Sequence, residues 1–157
     1  MLYLSLKALH VIAVAIFLGN IITGLFWHAY AARTRDARVL GHAMGGIILS
    51  DRLFTMPGVM VILASGVLLA IQGGYPLLRT SWILWPIILF SVSGLAFMFG
   101  VAPLQRQLLT MARAGADRGD FDYAQYRGLA VRWESWGAIA LLTPVAALVL
   151  MTLKPVW

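Results

Sequence analysis

The first apolar segment of the chain carries two basic side chains that could do chemistry inside a membrane. Lys7 and His10 are three residues apart, so on a helix they are neighbours. An ionisable group in a membrane span is costly and is by default a functional candidate. We predict that His10 is a metal ligand, namely the axial ligand of a haem iron, or a proton relay, and that Lys7 attracts a propionate or another acidic group. The structural alternative is that Lys7 reaches the outer interface and His10 hydrogen-bonds a carbonyl or water.

Two more histidines and one methionine extend the set of cofactor-binding candidates. His28 follows His10 by 18 residues, or five helical turns, so both project from one face but are about 27 Å apart and cannot share a metal. His42 is either a second ligand with His28 at one haem iron or a solvated loop histidine. Met151 lies at the depth of His10 and is its candidate sixth ligand, because haem accepts Met/His ligation. The alternative for Met151 is packing.

Carboxylates flank two of the apolar segments. Asp51 precedes Arg52 before the second segment, and Glu134 follows Arg132 before the fourth. The structural interpretation is that they form helix caps and interfacial ion pairs, with Asp51 capping the second membrane helix. The functional interpretation is that a carboxylate at the membrane edge relays protons or holds a quinone headgroup.

The elements that must position these residues are four apolar runs. The chain has 157 residues, 61% of them hydrophobic and 11% charged, whereas a soluble domain carries about 25% charged residues. Each run is long enough to cross about 30 Å of hydrocarbon. The sequence therefore predicts one transmembrane domain over residues 1–157, an all-α integral membrane four-helix bundle surrounded by lipid. Its predicted spans are residues 4–30, 53–72, 82–104 and 136–153.

The arginines predict how the bundle is oriented. Nine of the twelve basic residues follow the first and third runs: Arg33, Arg35, Arg38, Arg52, Arg106, Arg113, Arg118, Arg127 and Arg132. The positive-inside rule places these segments in the cytoplasm, so both termini are non-cytoplasmic. Tryptophans near the predicted span ends agree with an interfacial belt: Trp27, Trp82, Trp85, Trp133, Trp136 and Trp157. Because the positive charges flank spans, they argue against nucleic acid as a partner.

The segments between the spans also have helical signals. Residues 37–50 are compatible with a helix, and residues 104–114 can continue the third helix beyond the membrane. Residues 115–119 are predicted to break that helix, and Asp120 or Asp122 to cap the next one. The absence of cysteine excludes disulfides, thiolate metal sites and thiol catalysis.

Several of these residues also carry a family resemblance. Residues 6–14, around Lys7 and His10, resemble the first helix of HemJ-type protoporphyrinogen oxidases of bacterial inner membranes. The second and fourth helices of those proteins are similar to Met56-Pro57-Gly58 with Ser65-Gly66, and to Arg132-x-Glu134 with Leu153-Lys154-Pro155. The resemblance implies bound haem b and porphyrinogen oxidation coupled to membrane electron transfer, with His10 and Lys7 carried over. The lysine and histidine that those proteins have in their third helix are absent from residues 82–104.

A second resemblance covers nearly the whole chain. The sequence is similar to a bacterial family of small four-helix membrane proteins of unknown function, and it shares its general helical style with CopD-like copper-resistance proteins. The first of these similarities rests on residues 17–20, residues 33–38, Trp133-x-x-Trp136-Gly137 and Lys154-Pro155.

Two functional hypotheses follow for a multi-pass protein of the bacterial inner membrane. The first is a haem b- or quinone-linked redox protein that uses the helix face around Lys7 and His10. This hypothesis includes, but does not require, a haem-dependent membrane oxidoreductase activity. The second is a non-catalytic subunit or assembly partner of a larger complex, with other membrane-protein subunits or further copies of the chain as partners. Neither hypothesis assigns a catalytic residue. The sequence has no phosphate-binding glycine loop and no Ser/His/Asp arrangement, which argues against kinases and hydrolases.

Overall fold

Four long helices make up the computed structural model, which describes residues 1–155. They are α1 (Leu2–Ala32), α2 (Ala37–Gln72), α3 (Ser81–Arg118) and α4 (Tyr123–Leu153). Each is long and apolar enough to cross a membrane, and none of the described residues forms a strand. The all-α, four-span prediction is therefore confirmed. Trp157, one of the predicted interfacial tryptophans, lies outside the described residues.

Aspartate side chains begin two of the four helices. Asp36 caps α2, because its carboxylate accepts hydrogen bonds from the backbone N–H groups of residues 38 and 39 at 2.7 and 3.3 Å. Asp122 caps α4 by accepting from the backbone N–H of residue 125 at 3.0 Å. Both contacts satisfy N–H groups that have no partner inside the helix. Of the two predicted caps for the last helix, Asp122 is the one that forms.

The predicted cap at Asp51 is wrong. The segment Ala37–Ser50 is already a 14-residue helix when the chain reaches Asp51, so no helix N-terminus exists there. Asp51 instead begins a π-helical stretch, Asp51–Thr55, inside the continuous α2. A second π-helical stretch, Phe97–Val101, interrupts α3. Such stretches are frequent at functional sites because they redirect side chains from the regular helical rows.

The chain between α3 and α4 turns at Gly119. Its φ of 74° lies in the left-handed region, where glycine carries no steric penalty. α3 continues through Gly115 to Arg118. Of the residues 115–119 that were predicted to break the helix, only Gly119 lies outside it.

Two helices are much longer than a bilayer requires. α2 has 36 residues and α3 has 38, about 54 and 57 Å at 1.5 Å per residue, against about 30 Å of hydrocarbon. Both therefore continue beyond the membrane at one end of the bundle. We call it the arginine end, because the nine arginines listed above lie in or beside its helical extensions and its loops, residues 33–36 and 119–122.

The largest hydrophobic core lies at the arginine end. Leu40, Met44, Leu108, Ala112 and Tyr126 are fully buried there, where α2, α3 and α4 pack together. A smaller core of Ala13, Phe17 and Ile62 lies in the other half of the bundle.

The opposite end of the bundle carries both described ends of the chain. The Ser81 hydroxyl donates to the carbonyl of Pro155 at 3.5 Å, and the Lys154 ammonium lies 4.8 Å from the centre of the Trp82 ring. The N-terminal half of α1 packs there against the second half of α2. Which end faces the cytoplasm stays a prediction from the arginines.

Candidate functional site

Three polar clusters lie along the side of α1 that faces the bundle. They are centred on residues 10, 20 and 28 of that helix, at intervals of about 15 and 12 Å along its axis. The His10 cluster contains His10, Ser65 and Gly66; the Asp51 cluster contains Asn20, Asp51, Thr55 and Gln105; the His28 cluster contains His28, Tyr126, Arg127, Trp133 and Glu134.

The His10 cluster fixes the imidazole by a hydrogen bond to α2. His10 Nδ1 lies 2.9 Å from the hydroxyl oxygen of Ser65, and that hydroxyl donates to the carbonyl of Val61 at 2.5 Å. Because the hydroxyl has a single hydrogen, its oxygen accepts from Nδ1–H of the ring. The tautomer assigned in this way leaves a lone pair on Nε2. A neutral imidazole oriented through its other nitrogen is the usual form of a metal-ligating histidine.

Gly66 makes room for the ring of His10. A Cβ at this position would lie 3.2 Å from His10 Cε1, closer than side chains normally approach. His10 is half-buried, and Lys7, one turn earlier, is exposed. The His10 cluster is therefore open on one side, towards lipid and the end of the bundle that carries the chain termini.

The Asp51 cluster joins three helices through one buried carboxylate. Asp51 is 8% exposed. One of its oxygens accepts from the Asn20 amide at 3.0 Å and from the Thr55 hydroxyl at 2.9 Å, and the other accepts from the Gln105 amide at 2.8 Å. All three donors are neutral, so the carboxylate is held by hydrogen bonds rather than by a cation. The cluster ties α1 to α2 and α3, and its geometry is that of a structural junction.

Sequence reasoning identified Asp51 but missed its partners. Asn20 stands alone as an amide within the first apolar run, and an amide in a span normally seeks a partner on another helix. That signal would have selected Asn20. Thr55 and Gln105 have no comparable signal, because isolated hydroxyls and amides are common at the edges of spans.

The His28 cluster encloses a fully buried imidazole. His28 Nε2 lies 3.1 Å from the Tyr126 hydroxyl, and Nδ1 lies 3.7 Å from a carboxylate oxygen of Glu134. The same oxygen accepts from the Arg127 guanidinium at 2.6 Å. The Trp133 ring meets the imidazole edge-on, with 4.7 Å between ring centres. Glu134 thus forms the expected ion pair, but with Arg127, two turns earlier on α4.

Two buried nitrogen atoms of this cluster have no hydrogen-bond partner among the described residues. They are His28 Nδ1 and Trp133 Nε1. Buried polar atoms are nearly always paired, so each exception requires a reason. For Nδ1 the reason is geometric: Glu134 is the nearest carboxylate but is drawn to Arg127. A displacement of a few tenths of an ångström would convert the 3.7 Å contact into a hydrogen bond.

We expect the Tyr126→Phe variant to lower the free energy of unfolding by about 1 kcal/mol. The change keeps the buried ring and removes only the partner of His28 Nε2, and a lost hydrogen bond in a protein interior costs about that much. The measurement is thermal unfolding in detergent. Tyr30→Phe is the matched control, since Tyr30 is exposed and forms no side-chain hydrogen bond within residues 1–155. An equal shift in both variants would show that the Tyr126 hydroxyl contributes nothing.

The structure separates His42 from His28. Both ring nitrogens of His28 face α4, whereas His42 is exposed on α2 in a groove that Arg113 and Asp117 also line. Their predicted pairing at one iron stays a prediction, and this arrangement adds no support to it.

Met151 is half-buried near the C-terminal end of α4. Within residues 1–155, no three His, Cys, Asp or Glu side chains form a group that could hold a metal ion.

Comparison with known proteins gives a match at the level of the family. A family model described as "Predicted integral membrane protein (DUF2269)" matches residues 4–155, which include all three polar clusters. No curated protein and no solved structure matches the chain.

Proposed function

We infer that the function is carried out within the membrane, because the chain belongs to the DUF2269 family of predicted integral membrane proteins. We propose that the protein is a haem b-binding redox protein with His10 as an axial ligand. The observation that carries this proposal is the hydrogen bond from His10 Nδ1 to Ser65, which leaves Nε2 available.

The residues around His10 are compatible with a haem that has His10 as its protein ligand on one face of the porphyrin. The buried neighbours on α1 and α2 are apolar, namely Ala13, Phe17 and Ile62, and Gly66 keeps the space beside the ring free of a side chain. Lys7 offers a positive charge one turn away, where a propionate would be attracted. Haem b supplies one-electron chemistry when it is bound. The chain contributes the ligand, its orientation and the apolar surroundings that set the redox potential.

A membrane quinone is the electron-transfer partner that this location favours. The side of α1 next to His10 is open to lipid, since Leu9, Val11 and Ile12 are all exposed. A quinone dissolved in the hydrocarbon reaches such a surface laterally.

The absorption spectrum of the purified protein tests the haem proposal. We expect the protein, expressed with ample haem and purified in detergent, to show a Soret band and a reduced-minus-oxidised difference spectrum. The His10→Ala variant should lose both, because it removes the proposed axial ligand. The His42→Ala variant, which alters an exposed histidine, should keep both. Absence of the bands in the wild type, or their persistence in His10→Ala, would refute the proposal.

The Ser65→Ala variant tests the positioning of His10 separately. Ser65 does not reach the haem in this proposal but orients its ligand, and loss of such a supporting hydrogen bond typically weakens metal binding by about 10–100-fold. We expect lower haem occupancy and a shifted midpoint potential in the protein that retains haem. Ser91→Ala is the control, because Ser91 is exposed and bonds only to its own helix. Unchanged occupancy and potential in Ser65→Ala would show that the hydrogen bond has no role in ligation.

The Asp51 cluster favours a second candidate function, that of a non-catalytic subunit. Its carboxylate is hydrogen-bonded to three neutral side chains within one bundle, which suits a scaffold that carries no chemistry of its own. Mild-detergent purification separates the two candidates. A pigment-free protein that co-purifies with a defined membrane complex would support the subunit function, whereas a pigmented protein without partners would exclude it.

A further inference from the structure

A basic groove lies between α3 and α4 at the arginine end of the bundle. Its volume is about 600 Å³. Arg106 and Thr110 of α3 face Arg132 of α4 across it, and Met111 and Leu129 supply apolar wall. The groove thus combines two guanidinium groups and a hydroxyl with an apolar surface.

The positive charge of this groove is not balanced by nearby carboxylates. No acidic side chain lines it, and within residues 1–155 neither Arg106 nor Arg132 lies within 4.0 Å of a carboxylate oxygen. Glu134, the closest acidic residue to Arg132 in sequence, is bound to Arg127.

A second groove, between α2 and α3, shows the contrast. It also contains two arginines, Arg38 and Arg113, but it is lined by Asp117 as well. The net positive charge of this second groove is therefore lower by one. Of these two grooves, the one between α3 and α4 has two arginines and no acidic residue in its lining.

The position of the basic groove between α3 and α4 relative to the membrane indicates which class of ligand it can bind. Arg106 lies two residues beyond the third apolar run, and Arg132 lies four residues before the fourth. Both side chains therefore lie where the hydrocarbon gives way to lipid headgroups. Arginine guanidinium groups bind phosphate oxygens in pairs of hydrogen bonds, and the apolar wall suits the glycerol and first methylenes of a lipid. We propose that this groove binds the phosphate headgroup of an anionic phospholipid.

Two double variants with the same change of charge test the proposal. The first, Arg106→Gln with Arg132→Gln, empties the groove of positive charge; the second, Arg38→Gln with Arg113→Gln, alters the other groove. Each full-length protein is purified in neutral detergent, and thermal unfolding is followed against added phosphatidylglycerol or phosphatidylcholine. We expect phosphatidylglycerol to raise the Tm of the wild type and of the second variant. The first variant should need at least about 10-fold more lipid for the same rise, since two charge-assisted contacts are lost. Phosphatidylcholine should have little effect on any of them.

Other outcomes overturn the proposal. Equal responses in the two double variants would mean that phosphatidylglycerol acts through the overall positive charge rather than through the groove. An equal Tm rise with inorganic phosphate at the same concentration would identify a site for a soluble phosphate compound instead. If the first double variant does not fold, the single variants Arg106→Gln and Arg132→Gln are compared by native mass spectrometry. Each should retain less phosphatidylglycerol than Arg113→Gln, and equal retention would refute the site.

Discussion

We expect the Asp51→Leu variant to lower the free energy of unfolding by about 2–4 kcal/mol. Leucine fills the space of the carboxylate but accepts no hydrogen bond, so the Thr55 hydroxyl and the Gln105 amide lose their acceptor, and the Asn20 amide keeps only its hydrogen bond to the Thr55 oxygen. An unpaired buried donor costs about 1–3 kcal/mol in a soluble protein. In a membrane the average is smaller, about 0.6 kcal/mol per hydrogen bond, because the unfolded helices also find partners. Three lost contacts between these limits give the expected range.

Reversible unfolding in detergent measures this effect. Asp120→Leu is the matched control, because it removes an exposed carboxylate by the same substitution and should change stability by less than about 0.5 kcal/mol. Asp51→Asn keeps one acceptor oxygen and should lose less than Asp51→Leu. If Asp51→Leu unfolds at the same temperature as Asp120→Leu, the carboxylate does not tie the three helices together.

Asp51 also shows why the sequence predicted the helices but not the junction between them. An aspartate just before an apolar run is typical of a helix N-cap, and the local pattern cannot distinguish that role from a carboxylate buried in mid-helix. The difference is decided by Asn20 and Gln105, which are 31 and 54 residues away in the chain. Such contacts depend on how helices pack, which hydropathy does not encode. The spans themselves were predictable because bilayer thickness sets the length of each apolar run.

For the histidines too, the sequence indicated which residues are candidates but not which side chains they contact. His10 and His28 were selected because ionisable groups are rare in spans, and their shared helix face follows from their spacing. The partner of His28, Tyr126, is 98 residues away, and no local pattern connects the two. The hydrogen bond from His10 to Ser65 was equally hidden, because the two residues are 55 positions apart. The sequence therefore predicts which side chains are candidates, whereas only the structure indicates which nitrogen atom is free.

We expect the Gly100→Ala variant to lower the free energy of unfolding by about 1–3 kcal/mol. Gly100 is buried in the π-helical stretch of α3, and a Cβ there would overlap the indole of Trp136 on α4, with even the ring atom Cε3 at 2.8 Å. An indole is rigid and cannot yield as the end of a flexible side chain does. Overpacking of this kind costs about 1–3 kcal/mol because neighbouring helices must move apart.

Two further variants determine whether the contact between Gly100 and Trp136 is the cause. Gly94→Ala, six residues earlier on α3, meets no atom within 4 Å. It should leave stability unchanged or raise it by up to about 1 kcal/mol, since alanine favours a helix more than glycine does. In a Trp136→Ala background the Gly100→Ala change should also become nearly neutral, because the indole is no longer there to be displaced. If Gly100→Ala destabilises equally with and without Trp136, the close approach of α3 and α4 is not what requires glycine. The requirement would then lie in the backbone of the π-helical stretch itself.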